Sequence, residues 1–140
     1  MNSISLSIPC DPVPASRPRV TRFGRTYYEK RYAAFKKSFK EQLVEWASAN
    51  RHIMFARTAV LSLRLMINVT RPPTTKLSCP MPDVDNYAKA VMDAGNEVLW
   101  EDDTSVRCLL VEKSWDSSGS VSIEVDTIPG RDTRVREVKS

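Results

Sequence analysis

Along this chain the hydrophobic period switches back and forth between two and about 3.6, and that alternation limits the fold more than any single residue does. Residues 3–8, SISLSI, alternate polar and apolar side chains up to Pro9, the pattern of a short half-buried strand. From 29 to about 49, Tyr32, Phe35, Phe39, Leu43 and Trp46 recur every three or four residues with lysines between them, which predicts an amphipathic helix. The β-rich run AVLSLRLMINV at 59–69 ends just before Pro72 and Pro73 and reads as a long, well-buried strand. A second helical stripe, Val84, Tyr87, Ala88, Val91, Gly95 and Val98, predicts a helix over 83–99 with Asp83 at its cap. Residues 105–113 and 119–127 read as two strands joined by a turn at 116–119. The order β-α-β-α-β-β implies one α+β domain, a small mixed sheet with packed helices, over 1–128, with a polar flexible tail at 129–140.

Composition removes several chemistries. A chain of 140 residues with 41% hydrophobic content suits one modest core. It carries no apolar run of about 18 residues and no leader-like N-terminus, so a soluble protein of the cytoplasm, bacterial or of a phage-infected host, is expected, without membrane contact. Three scattered cysteines, Cys10, Cys79 and Cys108, fit reduced thiols better than a disulfide framework or a zinc site. The lone His52 has no ligand-like neighbour, which disfavours histidine-based nucleophile and metal chemistries.

Charge is distributed unevenly. Residues 1–40 hold nine Lys/Arg against two acids, and residues 81–103 hold seven acids against Lys89 alone. Such a juxtaposition suits a polyanion and a divalent cation, although two solvated faces would look the same. Asp83 and Asp85 start the second helix, and Asp102 and Asp103 follow it. These carboxylates match the oxygen ligands that Mg²⁺ takes, while DxD and DD pairs are also ordinary caps and turns. Lys89 stands one turn beyond Asp85 on the same flank, either as a surface ion pair or as a group placed at a phosphate. Asp93 diverges from Asp85 on the helical wheel and reads as a capping or surface acid. Tyr87 and Trp100 read as core. In the proline-broken loop at 12–24 and just beyond it, Arg17, Arg19, Arg22 and Arg25 suit phosphate contacts or a merely solvated loop.

The stretch PDVDNYAKAVMDAGNEVLWEDDTSV, residues 82–106, resembles the signature of the RusA family of Holliday junction resolvases, DxDNxxKxxxD followed by an aromatic residue and DD. RPRVTRFGRTYYEKRY at 17–32 is similar to the N-terminal part of many members. The resemblance implies a RusA-like fold and a homodimeric, Mg²⁺-dependent endonuclease, with Mn²⁺ able to substitute, that resolves four-way DNA junctions by paired symmetric nicks. It implies an acidic site at Asp83, Asp85 and Asp103, with Asp102 an alternative ligand, and a functional lysine at Lys89. A nuclease for other branched or fork DNA would use the same residues, and a non-catalytic DNA-binding protein would use the acids only as caps.

Overall fold

The computed structural model describes residues 2–16, 19–20, 26–27 and 30–129. Strand β1 (Ser3–Pro9) is followed by a two-residue antiparallel pair, β2 (Arg19–Val20) and β3 (Thr26–Tyr27). Helix α1 (Lys30–Ala49), strand β4 (Leu61–Thr70), helix α2 (Val84–Gly95), a 3₁₀ turn (Asp103–Ser105), β5 (Val106–Asp116) and β6 (Ser120–Thr127) complete the order. The expected α+β architecture is present, a mixed four-stranded sheet in the order β1-β6-β4-β5 with two helices. Both β1 and β4 pair antiparallel with β6, whereas β4 and β5 run parallel. Pro9 falls within β1 because that strand lies at the sheet edge, where a missing N–H disrupts no second ladder.

Alternation fixes which face of the sheet is covered. Leu61, Leu63, Leu65 and Ile67 of β4 and Val121, Ile123 and Val125 of β6 are buried, while Ser62, Arg64, Ser122 and Glu124 on the opposite face are not. Tyr32, Phe35, Phe39 and Leu43 of α1 and Tyr87, Ala88, Val91 and Ala94 of α2 join the same cluster, so the core is one helix-covered layer. His52 is a core-edge residue: its Nε2 lies 2.9 Å from the Leu99 carbonyl and its ring packs between Trp46 and Phe55. Cys10, Cys79 and Cys108 are free, and burial beside Asp11 pushes the Cys10 thiol up to about 12. Among the described residues no helix is long and apolar enough to cross a membrane.

Helix α2 stops four residues earlier than the apolar stripe suggests. Trp100, fully buried, folds back over Gly95, where an added Cβ would lie 2.5 Å from Trp100 Cζ2. Its indole Nε1 donates to Asn96 Oδ1 at 2.9 Å, the Gly95 carbonyl accepts from Leu99 N at 2.9 Å, and Glu97 takes a φ of 66°. Lys40 of α1 donates to the Asn96 carbonyl at 3.1 Å and closes the helix end. Val98 and Leu99 therefore continue the hydrophobic pattern without continuing the helix. The expectations for 17–18, 21–25 and the tail beyond 129 lie outside the described residues.

Gly95→Ala tests this packing. The helix-propensity gain of about 1 kcal/mol is opposed by overpacking against a rigid indole, typically about 1–3 kcal/mol. Urea denaturation should show a net loss of up to about 2 kcal/mol, accompanied by altered tryptophan fluorescence.

Candidate active site

Helix α2 carries its polar residues along one flank, and the neighbouring elements decide what each can do. Asp83 occupies the N-cap position, but its side chain makes no cap hydrogen bond. The backbone alone closes the first turn, with Asn86 N and Tyr87 N donating to the Asp83 carbonyl. Lys113 Nζ of β5 donates to the Pro82 carbonyl at 2.8 Å, and Ala15 N donates to the Asn86 carbonyl at 2.9 Å. The DxD segment is thus held by its backbone, while the Asp83 and Asp85 side chains stay exposed.

Asp85 and Lys89 line one cleft of about 780 Å³, as their helical spacing requires. Lys89, however, pairs with Asp93, Nζ to Oδ2 at 3.4 Å. Asp93 also accepts from Tyr32 Oη at 3.5 Å, and its side chain is only 24% exposed. The reading of Asp93 as an outlying surface acid is therefore corrected: Tyr32 of α1 and Lys89 draw it into the cleft. Only the packing of α1 on α2 reveals this; the DxDNxxKxxxD spacing, ending on Asp93, was the available sequence signal.

At the far end of α2 the two consecutive acids separate. Asp102 turns to its own backbone, accepting from Thr104 N at 3.2 Å, and lies 3.9 Å from Arg57. Those Thr104 bonds, and secondarily Arg57, hold its carboxyl below the usual range. The neighbouring Asp103 is shifted in the opposite direction. Burial, followed by the Asp102 and Asp93 carboxylates, pushes its pKa up, while a hydrogen bond from Asn96 and the charge of Lys89 oppose the rise. The capping role fits Asp102, and the electrostatically strained position belongs to Asp103.

The acids do not meet at one point. The 12 residues of α2 rise roughly 18 Å, so Asp83 and Asp103 mark opposite ends of a line on which Asp85, Lys89 and Asp93 succeed one another. Among the described residues no three His, Cys, Asp or Glu side chains form a compact metal cluster. The donor set nevertheless fits a hydrated divalent cation, which takes one or two carboxylates and completes its shell with water and phosphate. The mutual repulsion at Asp103 is relieved by such a charge. Tyr87 and Trp100 are core residues, 3% and 0% exposed. Arg17, Arg22 and Arg25 lie outside the described residues, and Arg19 is placed only as part of β2.

Asp103→Asn follows from the sign of that shift. A carboxyl raised above its ordinary 3.8 gives the fold stability that is complete below that value and lost as pH rises through the native pKa. In EDTA, the Asn variant should match wild type near pH 4 and exceed it at pH 7. Screening limits the gain to about 1 kcal/mol or less, read from thermal melts across that range.

Comparison with known proteins identifies the family of the chain. The family described as Endodeoxyribonuclease RusA matches residues 9–126. The chain is also similar to the uncharacterized protein YqaN of Bacillus subtilis (strain 168), 29% identical over 145 residues that cover 89% of this chain and 96% of that protein. With its two-helix mixed sheet, its DxDNxxKxxxD helix and a family match over most of its length, the chain belongs to the RusA endodeoxyribonuclease family.

Proposed function

We propose that this protein is a Mg²⁺-dependent endonuclease that resolves four-way (Holliday) DNA junctions by paired symmetric nicks in recombination and repair. The observation that carries this reading is the state of the two terminal acids. Asp83 stands at a cap position without capping, and burial together with the Asp102 and Asp93 carboxylates raises the pKa of Asp103. A non-catalytic DNA-binding protein, in which the acids only cap α2, would have that bond at Asp83. Asp102 is the acid that caps. A nuclease for forks or other branched DNA would use the same site, so substrate comparison separates the two.

Asp83 with Asp85 at the start of α2, and Asp103 with Asp93 at its end, would each supply one or two carboxylates to a hydrated divalent cation; Asp102 contributes less because its carboxylate is engaged by Thr104 and Arg57. The bound ion supplies a water of lowered pKa and charge stabilisation at the scissile phosphate. Lys89 brings a compact positive charge to the same cleft, where it balances charge on the phosphate as the P–O bond breaks. Its 3.4 Å pairing with Asp93 holds the ammonium towards the cleft before substrate arrives.

Paired nicks require two copies, because a four-way junction has two-fold symmetry. The outer edge of β5 supports a homodimer. This 11-residue edge strand carries Leu109 and Leu110 at 45% and 51% exposure. They stand beside Leu63 and Arg64 in the parallel register and so flank the edge on both faces. Long apolar edges seek a pairing partner. Leu109→Lys with Leu110→Glu should convert a dimer to a monomer in sedimentation equilibrium, and an unchanged dimer would move the interface elsewhere.

Cleavage of synthetic four-way junctions, forks and linear duplex with and without Mg²⁺ tests the activity. Asp83→Asn or Asp103→Asn should abolish metal-dependent nicking while gel-shift affinity for the junction survives. Lys89→Ala should slow single-turnover cleavage by about 10²- to 10³-fold, with Lys89→Arg restoring only part of it. Equal cutting of linear duplex would refute junction selectivity.

A further inference from the structure

The cleft that holds Asp85, Lys89 and Asp93 has a second wall, and that wall is basic. Ala33, Lys36 and Lys37 of α1 lie at i, i+3 and i+4, on one flank, and all three line the cleft opposite the α2 acids. Ala33 is small, which leaves room between the helices. Lysines on α1 have different fates. Lys40 is engaged in closing the end of α2 through the Asn96 carbonyl. Lys36 and Lys37 have no carboxylate within 4 Å among the described residues, and the Lys36 ammonium lies 5.6 Å from the Tyr32 ring centroid. Ser16 also lines the cleft, and its Oγ is buried with no hydrogen-bond partner among the described residues. A buried hydroxyl without a partner is uncommon, and Ser16 Oγ is free to donate to an oxygen entering the cleft.

We propose that Lys36 and Lys37 form a phosphate-binding rail, with Ser16 as an accessory donor, that holds the DNA sugar-phosphate backbone next to the phosphate being cut. The inference deepens the junction-nuclease reading and rests on it: it gives the described part of the chain its own DNA contacts, distinct from the arginines of the N-terminal loop. The physical need is plain. A polyanion approaching Asp83, Asp85, Asp93 and Asp103 meets repulsion, and two ammonium groups across the cleft, with no carboxylate partner among the described residues, offset it while fixing the strand's position relative to Lys89. Lysine suits this role because a compact point charge follows a moving phosphate without requiring bidentate geometry.

The test measures affinity of full-length protein for a labelled four-way junction in Ca²⁺, against salt. Removing one lysine-phosphate interaction should reduce the slope of log affinity against log salt by about 0.9. Lys36→Gln/Lys37→Gln should therefore flatten it by roughly 1.8, so that between 50 and 200 mM salt wild type loses about 12-fold more affinity than the variant. Lys36→Arg/Lys37→Arg should retain the wild-type slope. Arg51→Gln/Arg64→Gln, which removes the same charge from exposed positions that do not line the cleft, should leave the slope unchanged. Ser16→Ala should weaken binding severalfold without altering the slope. A wild-type slope in the lysine double variant, or equal flattening in the arginine control, overturns the rail while leaving the nuclease reading intact. Wild-type protein that neither binds nor nicks branched DNA overturns both.

Discussion

Because β4 and β5 run parallel, no tight turn can join them, and the chain must travel back across the sheet before β5 begins. Helix α2 is that crossing. The constraint does more than connect strands, since it lays the acidic helix over the edge of the sheet with its start near the end of β4 and its finish near the beginning of β5. The line from Asp83 to Asp103 is therefore a consequence of strand direction. An antiparallel β4-β5 pair would need only a hairpin and would have no helix on which to mount Asp85, Lys89 and Asp93 in succession.

That mounting is held mainly by uncharged groups. Ala88, Val91 and Ala94 seat α2 in the core, Trp100 blocks its extension at Gly95, and hydrogen bonds from Ala15 N and Lys113 Nζ to backbone carbonyls pin its entry. The Asp83 carboxylate is left out of the scaffold, whereas Asp102 accepts from Thr104 N and Asp93 from Tyr32 Oη. Clustered acids that do not stabilise the fold are tolerable only if packing compensates, which is the familiar opposition between stability and activity. The upward shift at Asp103, caused by burial and by Asp102 and Asp93, is the local expression of that opposition.

Much of this was legible in the residues. Hydrophobic period gave the order of the principal elements, because each face of helix and strand needs one core. The wheel placed Asp85 and Lys89 in a common space, and the DxD and DD spacings located both ends of the acidic line. Three things depended on tertiary packing instead. Val98 and Leu99 keep the helical stripe although Trp100 has already ended the helix. Asp93 looks peripheral on its own helix until Tyr32, 61 residues earlier, reaches it. Asp102 and Asp103 are chemically identical neighbours, separated only when the 3₁₀ turn directs one to Thr104 and the other towards Asn96.

The two long edges of β5 serve different ends. Its inner edge is zipped to β4 over ten residues, and its side chains on the helix side reach the loop that precedes α2, Lys113 to the Pro82 carbonyl and Trp115 Nε1 to the Leu77 carbonyl at 3.0 Å. Its outer edge carries Leu109 and Leu110. A copy pairing along that outer edge would bear on the same strand that fixes the backbone just ahead of Asp83. Under the dimer reading, association and site geometry are then mechanically linked: a strand stiffened by a second ladder holds Pro82 more firmly, and with it the start of α2. Two sites related by the resulting two-fold axis would be set by a continuous sheet, whose twist fixes their spacing more rigidly than loop contacts would.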